Sequence, residues 1–87
     1  MIVQKGFNSD ISYRGSTFHV QTEDWGFERA CLVTQIFHAG AVIKTIRVPY
    51  TKVLQAQHLN SIAIKVAIEA QHQSVIDLLL SGQLLKA

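Results

Sequence analysis

Four histidines, one cysteine and six carboxylates are the residues of this 87-residue chain that could hold a metal or move a proton. Metal binding needs donors at helix or turn spacing, yet there is no His-x-x-x-His and no Cys-x-x-Cys. His19 and Glu23 alternate onto one side of an extended stretch, but four residues of strand separate them by about 13 Å, too far for one ion. Glu23 and Asp24 are adjacent, so in a strand they face opposite ways and cannot share a proton as a catalytic pair does. Cys31 sits in an apolar run, where a thiol is filler rather than nucleophile. The glycines are isolated turn markers rather than a phosphate loop. The sequence therefore offers no catalytic residues, no metal site and no cofactor, and the expected function is non-enzymatic.

The candidate binding residues lie on the elements that must position them. In Phe18-His19-Val20-Gln21-Thr22-Glu23-Asp24, the side chains of Phe18, Val20 and Thr22 point one way, and those of His19, Gln21 and Glu23 the other. One face is apolar, and the other is a polar row suited to contacting a ligand. Trp25 and Phe27 follow in a connector, where large aromatics either fold back as a lid on the sheet or await a partner. Farther on, Gln71 and His72 are polar where a helical stripe calls for apolar residues. They are either solvent-exposed or hydrogen-bonded at a buried helix–sheet or subunit contact.

Around the Phe18–Asp24 run the elements can be placed in order. Ile11 and Tyr13 alternate with polar neighbours in a first strand. Arg14-Gly15 makes a two-residue hairpin turn, or a longer loop, since arginine is a poor choice for its first position. Residues 30–38 form a third strand rich in β-formers, with apolar residues on both faces: Cys31, Val33 and Phe37 on one, Leu32 and Ile36 on the other. Ala39-Gly40 turns the chain into a return strand ending before Pro49. After it, one apolar stripe cannot be continued past residue 54. A fresh stripe of Ile64, Ile68, Val75 and Leu79 begins behind Asn60-Ser61, an N-cap signal. The expected fold is α+β: a four-stranded antiparallel meander of two hairpins, then a short helix near 51–58 and a long one near 61–81 packed on one face. The chain reads as a single domain: an arm over 1–8, the meander over 9–48, helices over 50–81 and a tail over 82–87.

Composition narrows the function classes. Hydrophobic residues make up 48% and charged residues 16%, against a usual ~25% charged. So much apolar material on a small chain implies a self-association surface. Because helices cover only one face of a sheet, Leu32, Ile36 and Ile43 are the expected contact residues of a homodimer, with another protein as the other candidate partner. The net charge of +2 is mild, and the basic residues are scattered. Lys44 and Arg47, three apart on a strand, face opposite sides. Nucleic acid is therefore not an expected partner. The alternative function is a ligand- or single-stranded nucleic-acid-binding module using the polar face of the second strand. No run of about 18 apolar residues is present to span a membrane, and a lone cysteine suits a reducing cytoplasm.

Read together, Gly6-Phe7-Asn8, Tyr13-Arg14-Gly15, Phe18–Asp24 with Gly26, Val33-Thr34-Gln35-Ile36-Phe37 with Gly40, Tyr50, Gln71-His72, Leu79 and Gly82 resemble a family of small bacterial proteins of unknown function. The resemblance covers almost the whole chain and implies a stand-alone domain of hairpin–hairpin–helix plan. It implies no activity. The tail departs from the family pattern, with Gln83-Leu84-Leu85 where an aromatic and an acid are expected.

Overall fold

The computed structural model describes residues 6–26, 28–53 and 60–85. Four antiparallel strands form one sheet in the order β1-β2-β3-β4: β1 is Gly6–Tyr13, β2 Ser16–Asp24, β3 Cys31–His38 and β4 Ala41–Pro49. They are followed by a short helix, α1 (Tyr50–Val53), and a long one, α2 (Ser61–Leu80). This is the expected α+β meander with its two helices. The first strand starts earlier than expected, so residues 6–8 belong to the sheet rather than to an arm. The rest of the expected 51–58 helix lies outside the described residues, as does Phe27.

Both hairpins turn in two residues. Arg14 and Gly15 have φ of 51° and 81°, and Ala39 and Gly40 have 53° and 82°. Positive φ at both positions matches the right-handed twist of the flanking strands. Arg14 and Ala39 hold that conformation although their Cβ atoms disfavour it. Between Ile36 and Phe37 the β3–β4 register shifts by one residue on β4, a bulge that makes room for Ile43.

The register decides which face is core. Phe18, Val20 and Thr22 pair with His38, Ile36 and Thr34, and Leu32 pairs with Asp24 and Val48. Facing them, α2 buries Ile64, Ala67, Ile68, Gln71, His72, Val75, Ile76 and Leu79, the stripe the sequence marks out. Two clusters result: Phe18, Val20, Ile36, Val75, Ile76 and Leu79 toward one end of the helix, and Leu32, Tyr50, Ile64, Ala67 and Ile68 toward the other. The helix is closed at both ends. Asn60 accepts the Ala63 N–H through its side chain. Behind Ser81, the Gly82 and Gln83 N–H groups return to the Leu79 and Leu78 carbonyls, with Gly82 at φ 81°, a Schellman closure. A Cβ on Gly82 would stand 2.8 Å from the Tyr13 hydroxyl, so this closure is also a close approach to β1.

Here one expectation is corrected. Leu32 and Ile36 do not lie on a face turned away from the helices; both are fully buried beneath α2. The open face of β3 carries Val33, Gln35 and Phe37 instead. Of the expected self-association residues only Ile43 is exposed. The cause is parity: strand side chains alternate, so the register across the 25–30 connector decides which set faces the helix.

Candidate functional site

The polar row of β2 lies on the open face of the sheet and is organised by cross-strand neighbours. His19 sits between Asp10 and Phe37, Gln21 between Asn8 and Gln35, and Glu23 opposite Val33. The His19 ring nitrogens meet Asp10 Oδ1 at 2.9 Å and Asn8 Oδ1 at 3.2 Å, and the ring tilts against Phe37 with centroids 5.9 Å apart. Trp25 donates its indole N–H to Glu23 at 3.4 Å. The guanidinium groups of Arg29 and Arg47 each lie 5.5 Å from the Trp25 ring centre, within cation–π range. Arg47 also faces Val33 across the ladder, and Val33 is only 1% exposed. Trp25 thus has these partners at this end of the open face and stays half-buried. These groups largely satisfy one another.

Gln71 and His72, by contrast, are buried and belong to a polar chain through the core. The His72 ring lies 2.8 Å from Ser9 Oγ through Nε2 and 2.8 Å from Thr22 Oγ1 through Nδ1. Thr22 Oγ1 is 2.8 Å from Thr34 Oγ1. Gln71 Nε2 donates to Thr34 Oγ1 at 3.0 Å and to the Leu32 carbonyl at 3.3 Å. One consistent set of donors runs from Gln71 into Thr34, from Thr34 into Thr22, from Thr22 into His72 Nδ1, and from His72 Nε2 into Ser9. Every link needs only the neutral ring. Burial, and less strongly the charge of His19, lowers the His72 pKa below its usual value, which favours that form. A nucleophile would need an approach to substrate, and Ser9, Thr22 and Thr34 instead spend their hydroxyls on this chain. Among the described residues, Gln71 Oε1 is the one buried side-chain polar atom without a partner.

At the far end of β2, Asp24 accepts hydrogen bonds from the Gly26 N–H at 2.9 Å and from the Tyr50 hydroxyl. Burial and the Asp24 carboxylate push the Tyr50 pKa up, so the phenol keeps its proton. This contact fastens the start of α1 to the end of β2. Among the described residues no three of His, Cys, Asp and Glu come together, and no described helix is long and apolar enough to cross a membrane.

One feature is not legible in the β2 motif. The long helix packs on β1 and β2 and more lightly on β3, so the β4 side of the same face is left open. There a groove of about 800 Å³ runs between β4 and α2. Ile46 and Val48 line it from the sheet, Val53 from α1, and Ala63, Val66, Ala67, Ala70, Gln71, Ser74, Val75 and Leu78 from α2. None of these side chains is ionisable. The small side chains of Ala63, Ala70 and Ser74 on the helix flank leave room for it. The signal for it in the sequence is the second apolar stripe of α2, Val66 and Leu78 beside Ala63, Ala70 and Ser74, which the core does not need.

No protein-family model matches the chain, and no curated protein or solved structure matches it either.

Proposed function

We propose that this chain is a non-enzymatic protein-interaction module whose docking surface is the groove between β4 and α2. The observation that carries the reading is the groove itself: about 800 Å³, open, and lined by aliphatic, alanine, serine and glutamine side chains without a charge. Val53, Val66 and Leu78 are exposed at its walls, and left in water they form an apolar surface that asks for a cover. An occupant reaching the groove from the side also meets the edge of β4, which no described strand pairs. Strand addition there would place alternate side chains toward the groove, a common way to bind an extended segment. The polar face of β2 supports binding less well, because His19 and Glu23 already have partners within the chain. With a single cysteine, the module suits a reducing cytoplasm.

Selection of random peptides on the sparsely immobilised chain tests the reading. Peptides with apolar residues at every second position are expected, and Ala70→Arg, which places a charge in the groove from an exposed position, abolishes their binding. Failure to select any peptide, or binding indifferent to Ala70→Arg, would overturn it.

A further inference from the structure

The stretch of β4 that a new strand can pair has a definite length. Ile36 pairs with Lys44 and Phe37 with Val42, so Ile43 is the extra residue of the bulge. A bulge bends its strand and interrupts regular pairing. At the other end Pro49 has no N–H to offer. Lys44 to Val48 is therefore the regular edge, and its side chains alternate between two faces. Lys44, Ile46 and Val48 stand opposite Ile36, Thr34 and Leu32, all fully buried, and so share the groove side. Thr45 and Arg47 take the open side. Ile46 and Val48 line the groove. Lys44 lies one step beyond them on the same face, exposed, and among the described residues it forms no salt bridge.

We infer that the partner is a protein with an extended segment that carries two aliphatic side chains and an acid at alternate positions, its carboxylate set on Lys44. This rests on the reading of the groove as the docking surface and names the chemistry of what fills it. A strand added to β4 lays alternate side chains about 5 Å from those of Lys44, Ile46 and Val48. Beside Ile46 and Val48 an aliphatic side chain extends the apolar lining, and a charge there would be covered without a partner. Beside Lys44 the demand reverses. The arriving strand takes water from the ammonium group, which a carboxylate replaces. A cation there is repelled, and an aliphatic side chain leaves the lysine less hydrated. On the open side, Arg47 already lies over the Trp25 ring and Thr45 has no charge, so the two intervening positions accept many residues. The acids of α2, Glu69 and Asp77, do not line the groove, and Asp77 holds the Gln73 amide. Added in the antiparallel sense of the rest of the sheet, the segment reads aliphatic-x-aliphatic-x-acid from Val48 to Lys44.

Peptide selection run in parallel on the wild-type chain and on Lys44→Glu decides the matter. Peptides from the wild type are expected to carry Asp or Glu two positions after the aliphatic pair, and those from Lys44→Glu to carry Lys or Arg there. A peptide selected on the wild type should bind Lys44→Glu about tenfold more weakly, and exchanging its acid for lysine should restore the affinity. Lys65→Glu makes the same charge change on α2 outside the groove lining and is expected to leave binding unchanged. If no peptide is selected, or binding is indifferent to Ala70→Arg, the groove reading and this inference fall together. Peptides that are lost with Ala70→Arg yet show no charge preference beside position 44 in either protein overturn the acid alone.

Discussion

Thr22 Oγ1 stands 2.8 Å from His72 Nδ1, joining the middle of β2 to the middle of α2 inside the core. The contact lies within a chain of hydrogen bonds running from Ser9 to Gln71, and it fixes the helix on the sheet in both rotation and translation. A packed apolar core rewards burial in many arrangements. A buried polar chain rewards only the one in which its members are satisfied.

That chain predicts non-additive energetics. Thr34→Val removes the hydroxyl that receives Gln71 and contacts Thr22, and should cost about 1–3 kcal/mol, the range for stranding buried polar groups. Adding Gln71→Leu removes one stranded donor together with the unpartnered Oε1. The double variant should therefore lose less than the two single losses added together, by about 0.5 kcal/mol or more. Urea unfolding of the four proteins measures this, and strict additivity would refute a connected chain.

His72 also gives stability a pH dependence. Its folded pKa is held below the 6.5 of an unperturbed imidazole, so the unfolded chain takes up the proton first. The stability tied to the neutral ring is complete above the unfolded pKa and declines as pH falls from there toward the folded pKa. Melting temperature should be level from about pH 8 to 7 and drop toward pH 5, more steeply in the wild type than in His72→Gln. Equal slopes in the two proteins would remove His72 from the account.

The two helices should differ sharply in their hold on the core. Ile68 is fully buried, and Ile68→Ala should cost on the order of 2–4 kcal/mol. Val53 is 44% exposed at the groove, and Val53→Ala should cost well under that. Thermal or urea unfolding at low protein concentration compares them, and equal losses would contradict the packing described.

A stabilising change is available at a turn. Ala39 sits at φ 53° ahead of Gly40, a position where asparagine tolerates the left-handed backbone better than alanine. Ala39→Asn should raise stability by about 0.5–1 kcal/mol. A loss on this substitution would mean that Ala39 makes a contact the turn geometry does not account for.

Much of the fold could be read from the chain because its local signals agree. Glycine at the second place of both turns, alternation in β2, Asn60 ahead of α2 and the Ile64, Ile68, Val75, Leu79 stripe each hold in the structure. The assignment of faces on β3 was not legible. Leu32 and Val33 are both apolar and both buried, and only the register across residues 25–30 says which belongs under the helix. For Gln71 and His72 the sequence left exposure and buried bonding equally open. Their answer depends on Ser9, Thr22 and Thr34, brought to them from 37 to 63 residues away. The groove escaped for a related reason: the second apolar stripe of α2 marks an uncovered flank, but that a groove opens beside it depends on where α2 settles on the sheet.

The central claim is that the groove between β4 and α2 is a docking surface. Amide hydrogen exchange with and without a saturating peptide selected on the groove tests it most directly. The peptide should slow exchange of β4 amides, while those of β1, the other edge of the sheet, stay unchanged. Exchange in β4 that the peptide leaves unaltered would contradict the account.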